Sequence, residues 1–91
     1  MAFEFRDDDS GFIAWRDRNP GGFIINAERN SRCSYLKLHR ADCPFMTKPT
    51  RSDQRRWTDQ YIKICSLRRA ELVNWARSLG CDSDPCPTCK P

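Results

Sequence analysis

The chain has 91 residues, of which 38% are hydrophobic and 31% charged, and its formal net charge is +4. A chain of this length predicts one small domain, residues 1–91, whose single core supplies a thin margin of stability. The 11% aromatic content argues against a disordered chain. No apolar stretch approaches the length of a transmembrane helix, so we expect no membrane partner.

Six cysteines in so short a chain predict either a disulfide framework or a metal site. The opening MAFEFRDDDS has neither a basic start nor an apolar stretch, so it does not resemble a signal peptide. We therefore expect an intracellular, cytoplasmic protein whose thiols stay reduced and whose clustered cysteines bind metal. A domain excised from an extracellular protein and given an added Met would look the same.

The first half of the chain predicts one helix and two strands. FEFR at 3–6 is either a short strand or an anchored end, and DDDSGFIAWRDRNP predicts a helix at about 9–18 that Asp9 or Ser10 caps. GFIINAE predicts a strand at about 22–28. SYLKLHRA predicts another at about 34–40, because Leu36 and Leu38 alternate with polar residues. We expect these two strands to form an antiparallel hairpin.

The second half predicts a long loop over 42–58, a strand at about 60–66, a helix at about 67–79 and an irregular tail over 81–91. The helix shows the clearest pattern, because Leu72, Trp75 and Leu79 repeat at helical spacing and Gly80 follows. The predicted fold class is α+β: a small three-stranded antiparallel sheet with one or two helices, stapled by a structural zinc site.

The tail carries the strongest chemical motif, the pair Cys86 and Cys89 in the spacing C-P-T-C. This spacing lets two thiolates grip one ion in a tight turn. It resembles the knuckles of zinc-ribbon and treble-clef domains, where C-P-x-C followed by a small or basic residue is common. The resemblance covers about five residues and implies a type of site, without a family for the whole chain. A redox role is disfavoured, because activated thiols of this spacing sit at a helix N-terminus.

A knuckle supplies half of a tetrahedral site, and His39 and Cys43 are the first candidates for the other half. Cys65 is the alternative to His39, which would make an all-thiolate set. Cys33 and Cys81 flank turns and are weaker candidates. Four protein ligands leave a zinc ion no open position, so the predicted cofactor is a structural Zn²⁺.

Enzymatic chemistry has little support in the sequence, and we expect no catalytic residues. The single histidine is better used as a ligand, and nothing pairs a nucleophile with a base. Asp7, Asp8 and Asp9 could in principle hold Mg²⁺, but acidic residues at the start of a helix are the simpler interpretation.

The middle of the chain is strongly basic, since residues 29–77 carry twelve Lys and Arg against four acids, a net charge of +8. Cations with interleaved aromatics suit phosphate contact and base stacking. A pair of cations in the first turn of a helix opposes the helix dipole and can form an anion site. The candidate nucleic-acid-binding residues are Lys48, Arg51, Arg55, Arg56 and Trp57 in the loop, and Arg68 and Arg69 in the last helix.

These observations predict a small intracellular zinc-stabilised module that binds nucleic acid mainly through phosphate contacts. The first alternative is a zinc-stapled protein-interaction domain whose basic face meets an acidic partner. The second is an accessory module of a nucleic-acid-processing enzyme. Trp57 has an alternative of its own, in which its ring turns into the core and supports folding.

Overall fold

The computed structural model describes residues 2–30, 32–48 and 57–91 of the chain. Its helices and strands lie close to the predicted positions, and the mixed α+β composition is confirmed. In chain order the elements are β1 (Phe3–Phe5), α1 (Asp9–Arg18), β2 (Phe23–Glu28), β3 (Leu36–Arg40), α2 (Pro44–Thr47), β4 (Tyr61–Ser66), α3 (Arg69–Ser78) and β5 (Asp84–Pro85).

The sheet has five strands in the order β1-β4-β2-β3-β5. The first four are antiparallel to their neighbours, whereas β5 runs parallel to β3. The prediction of a three-stranded antiparallel sheet was therefore wrong. The two additional strands have three and two residues, too few to show an alternating pattern. Pro85 is tolerated in β5 because an edge strand can leave one position without an N–H donor.

The segment 42–58, expected to be a loop throughout, contains the single helical turn α2. Pro44 occupies its first position, where the missing N–H group costs nothing. The Cys43 carbonyl accepts hydrogen bonds from the amides of Met46 and Thr47 at 2.8 and 3.1 Å. Residues 49–56, which include the candidates Arg51, Arg55 and Arg56, lie outside the described residues.

The two faces of the sheet are covered by different helices. On one face, Leu38 and Ile64 pack in a buried cluster with Leu72 of α3. On the other face, Ile24 packs in a second buried cluster with Phe12 of α1. Because side chains alternate along a strand, the residue after Leu38 points to the α1 face. The side chain of His39 therefore lies on the same face as the second cluster.

The three aspartates at the start of α1 have separate partners. The Asp8 carboxylate caps the helix by accepting a hydrogen bond from the Gly11 amide at 3.0 Å, a position expected for Asp9 or Ser10. The Asp9 carboxylate instead accepts from the amides of Trp57 and Thr58 at 3.0 and 2.9 Å. Asp7 forms an ion pair with Arg29. The magnesium interpretation gains no support from this arrangement.

Cys33 and Cys81, which the sequence ranked as weak ligand candidates, form a disulfide with a Cα–Cα distance of 5.3 Å. The other four cysteines are free. The disulfide joins the connection between β2 and β3 to the residue that follows α3 and Gly80. The expectation that all thiols are reduced therefore does not describe this structure. Among the described residues, no helix is long and apolar enough to cross a membrane.

Candidate metal centre

Four side chains from distant parts of the chain come together at one end of the sheet. The ligand atoms of His39, Cys43, Cys86 and Cys89 all lie within 4.8 Å of one another. Three of the four side chains are buried, and Cys89 is half-buried. The group could hold a metal ion, and its members are the four residues that the sequence analysis names as first candidates.

The end of β3 and the turn after it position the first two ligands. His39 is the penultimate residue of β3 and points to the α1 face, whereas its neighbours Leu38 and Arg40 point to the opposite, α3 face. The amide of Cys43 donates to the Arg40 carbonyl at 3.1 Å, which closes a tight turn. The turn brings the Cys43 sulfur to 3.5 Å from Nδ1 of His39.

The parallel edge strand β5 positions the other two ligands. Asp84 and Pro85 pair with Lys37 and Leu38, so that the chain reaches Cys86 beside the end of β3. The Cys86 amide donates to the Leu38 carbonyl at 2.8 Å. The Lys90 amide then donates to the Cys86 carbonyl at 3.0 Å, which closes the knuckle turn. A positive φ of 50° at Lys90 ends that turn in the left-handed region.

The spacing of the four atoms is close to that of a tetrahedral site. With Zn–S bonds of about 2.3 Å and Zn–N bonds of about 2.0 Å, tetrahedral ligand atoms lie about 3.5–3.8 Å apart. The 3.5 Å between His39 Nδ1 and the Cys43 sulfur agrees with this value. No two of the four ligand atoms lie more than 4.8 Å apart. This limit is about 1 Å longer than the tetrahedral distance, so small side-chain movements would complete the geometry.

Burial sets the protonation of His39 and Cys43 without metal. Burial, with help from the positive charges of Lys37 and Lys63, lowers the pKa of His39 to about 4. The imidazole is therefore neutral at neutral pH, which is the form that binds metal. Burial raises the pKa of the Cys43 thiol to about 12, so this thiol must lose its proton when a metal ion binds.

Backbone amides supply donors to the sulfurs of the knuckle. Burial opposes ionisation of Cys86, but hydrogen bonds from the amides of Cys89 and Thr88 outweigh it, and the pKa of Cys86 is lowered. The Arg40 amide donates to the Cys89 sulfur at 3.2 Å. Donors of this kind stabilise thiolates and fix their orientation, as outer-shell groups do around metal sites.

Cys65, the alternative ligand, lies outside this group. The register of the sheet pairs Ile24 with His39 on one side and with Cys65 on the other. Two strand spacings, about 10 Å, therefore separate the backbones of His39 and Cys65. Cys65 is fully buried in the apolar cluster under α1, and burial raises its pKa. This geometry favours His39 over Cys65 as the fourth ligand.

The candidate nucleic-acid-binding residues have different environments. The Trp57 ring is half-buried, 5.7 Å from the Phe12 ring and beneath the guanidinium of Arg16 at 5.5 Å. Its contacts favour the alternative in which the ring supports folding. Arg68 and Arg69 are exposed, at the N-cap and first position of α3.

The exposed cations of one end of the sheet come from several elements. Strand register places Arg40 of β3, Phe23 of β2 and Ser66 of β4 in one row, and Arg68 follows shortly after Ser66. Lys48 directly follows α2, and Lys90 follows the candidate ligand Cys89. We call this surface the basic end and define it by the exposed residues Arg40, Lys48, Arg68, Arg69 and Lys90.

Sequence reasoning missed Phe45, whose side chain is 58% exposed beside the candidate ligands. Its ring centroid lies 6.3 Å from that of His39. The available signal was a large apolar residue within a polar, proline-containing segment.

No protein-family model matches the chain, and no curated protein or solved structure matches it significantly. The proposals that follow rest on the site and its surroundings.

Proposed function

We propose that the chain is a small zinc-stabilised module that binds nucleic acid, mainly through phosphate contacts at the basic end. Zinc is the metal that the ligand set suits best, because three thiolates and one imidazole in tetrahedral arrangement are a standard structural zinc site. Hard cations such as Mg²⁺ and Ca²⁺ take oxygen ligands and would not select this group.

The zinc would have a structural role. Four protein ligands leave no open position for a water molecule or a substrate, so the ion would not activate water. It would instead tie the end of β3 to the tail through His39 and Cys86, which are 4% and 3% exposed. Neutralising buried thiolates with a cation also removes the cost of leaving their charge unpaired. The binding function would then belong to the surface around the site.

The single observation that carries the nucleic-acid proposal is the gathering of exposed cations at the basic end. Arg68 and Arg69 stand at the start of α3, where two positive charges oppose the helix dipole. A phosphate backbone would offset that repulsion and accept hydrogen bonds from the guanidinium groups. In the sequence, Arg51, Arg55 and Arg56 would add further cations to this function.

A protein-interaction domain is the second candidate, and one observation favours it. Leu67 is 63% exposed directly beside Arg68. An exposed leucine next to two arginines suits an acidic protein surface that also buries an apolar contact. Binding to nucleic acid and binding to an acidic protein differ in how the affinity responds to salt concentration and to substitution of the uncharged Leu67.

The proposal is tested by measuring the affinity of the zinc-loaded protein for labelled DNA and RNA over a range of salt concentrations. The test variant is Arg68→Gln with Arg69→Gln. The matched control is Arg32→Gln with Arg77→Gln, which removes the same charge from two exposed arginines near the disulfide. Each lost phosphate contact reduces the slope of log affinity against log salt by about one unit.

We expect the test variant to weaken binding and to flatten that slope by about two units, and the control to leave the slope nearly unchanged. Circular dichroism and zinc content should be the same for both variants. Wild-type protein that binds neither DNA nor RNA at low salt would contradict the proposal. Capture of an acidic protein that is lost with Leu67→Ser would then support the second candidate.

A further inference from the structure

The strongest unexplained surface feature is the exposed ring of Phe45, on the single turn α2. Its side chain is 58% exposed, whereas the next residue, Met46, is 3% exposed. One side of the ring faces His39, with centroids 6.3 Å apart and planes inclined at 58°. A large aromatic held in this way forgoes the free energy of burial and leaves a ring surface open to a partner.

The fold holds this ring outward. Met46 packs into the buried cluster under α1, and its carbonyl accepts a hydrogen bond from the Arg16 guanidinium at 3.0 Å. Cys43, two residues before Phe45, is a candidate metal ligand whose carbonyl accepts a hydrogen bond from the Met46 amide at 2.8 Å. Successive residues of a helical turn point about 100° apart, so an inward Met46 turns Phe45 away from the core. The ring is therefore displayed on an anchored platform.

Exposed cations lie close in the chain to Phe45 or to the candidate ligands beside it. Lys48 lies three residues after Phe45, at the end of the same helical turn, and is exposed. Arg40 follows the ligand His39, and its amide contacts the Cys89 sulfur. Lys90 follows Cys89 directly. Of the charges named here, Arg40 is offset by an ion pair with Asp42 at 3.0 Å, whereas the two lysines bring positive charge to the knuckle and to α2.

We propose that Phe45 stacks on an unpaired base and that the neighbouring cations contact the flanking phosphates, so that the partner is a single-stranded nucleic acid. The inference rests on the proposed function and deepens it. An aromatic platform within a basic surface is the arrangement that binds single strands, since every base has a face that can stack. In a duplex the bases are already stacked on each other, so no base face is free to stack on the Phe45 ring.

The alternative stacking residue, Trp57, is less suited. Its ring contacts Phe12 and lies beneath the Arg16 guanidinium, so both contacts come from α1. The Phe45 ring is more exposed and lies at the basic end. A neutral apolar protein partner fits this surface poorly, because Lys48 and Lys90 would lose hydration without gaining a countercharge.

The experiment compares four single variants of the zinc-loaded protein by fluorescence anisotropy with labelled single-stranded RNA and DNA and with duplexes of the same sequence. Phe45→Ala removes the ring, and Phe45→Leu keeps an apolar side chain without a stacking face. Phe3→Ala is the matched control, since Phe3 is 49% exposed on the edge strand β1. Zinc content and circular dichroism establish that each variant is folded, and Phe45→Trp tests whether another aromatic restores binding.

We expect both Phe45→Ala and Phe45→Leu to weaken single-strand binding about tenfold or more, the loss typical of one stacked base. Phe3→Ala should change it less than about twofold, and Phe45→Trp should restore it. Single-strand binding that Phe45→Ala and Phe45→Leu leave intact would overturn this inference and leave the proposed function standing. Exclusive binding of duplexes would do the same. Wild-type protein that binds no nucleic acid would overturn both.

Discussion

At the candidate metal centre, three thiols and an imidazole share a space that is largely closed to water. The His39 imidazole is neutral there, because burial lowers its pKa to about 4. The Cys43 thiol keeps its proton without metal, because burial raises its pKa to about 12. Metal binding must therefore release protons, and metal affinity must fall as the pH falls. Protons and metal compete for the same buried atoms.

The fourth ligand can be identified at the scale of single residues. We expect His39→Ala to weaken zinc binding by more than about 100-fold, because loss of even a supporting outer-shell group costs up to about that much. Cys65→Ala is the control, since Cys65 lies one strand beyond Ile24. It should leave zinc affinity nearly unchanged and lower the free energy of unfolding by on the order of 1 kcal/mol through lost packing.

Competition with a chromophoric zinc chelator measures both affinities under the same conditions. A His39→Ala protein that holds zinc as tightly as the wild type, together with a Cys65→Ala protein that loses it, would show the all-thiolate set instead. An all-thiolate set would require β4 to move relative to β3, because β2 lies between these two strands.

At the scale of elements, we expect the edge strand β5 to depend on metal binding at the candidate centre that it helps to form. It has two residues and no hydrophobic face, so backbone pairing with β3 alone cannot hold it. The ion pair between Lys37 and Asp84 at 2.5 Å adds little, since the Asp84 side chain is 67% exposed. Ligation by Cys86 and Cys89 would supply the missing stabilisation. We therefore expect metal binding and formation of β5 to be coupled.

Hydrogen exchange tests this coupling directly. In Cys89→Ser, we expect fast exchange at the amides of Cys86 and Arg40, whose hydrogen bonds lie within the centre. The amide of Ile25, in the central strand β2, should remain the better protected one if any sheet survives. Because the core is thin, we also expect the rest of the fold to loosen in this variant. Unchanged protection at Cys86 would contradict the coupling.

The sequence predicted what local patterns encode. The alternation of Leu36 and Leu38 located β3, and the helical spacing of Leu72 and Trp75 located α3 within two residues of its ends. The C-P-T-C spacing marked the knuckle. Strands of two or three residues are too short to show an alternating pattern. The sequence therefore does not decide between a strand and an anchored end at β1, and it does not predict β5. The preference for His39 over Cys65 needed the strand order, because only the sheet shows that Ile24 separates them.

At the scale of the whole molecule, a disulfide and a candidate metal centre lie at opposite ends of a small fold. A metal ion bound by the four candidate ligands would join β3 to the tail, at the end of the sheet where Phe23, Arg40 and Ser66 are paired in one row. The disulfide joins Cys33, between β2 and β3, to Cys81, after α3. The cross-linked cysteines are 48 residues apart in the chain. A domain of this size gains more from such links than a larger one does.

The disulfide should contribute to stability without affecting the metal centre. We expect Cys33→Ser to lower the free energy of unfolding by about 2–4 kcal/mol under non-reducing conditions, because the unfolded chain regains the freedom of a long loop. Zinc content should not change, since neither partner is near the ligand group. Chemical denaturation with and without a reductant measures the effect. A wild-type protein whose stability is indifferent to reductant would contradict it.

The metal content of the purified protein tests the central claim most directly. Native mass spectrometry, combined with elemental analysis and thiol alkylation, should find about one zinc ion per chain. Cys43, Cys86 and Cys89 should resist alkylation until a chelator removes the ion. Protein that is folded and free of metal, with these three thiols alkylated at once or paired in disulfides, would contradict the account.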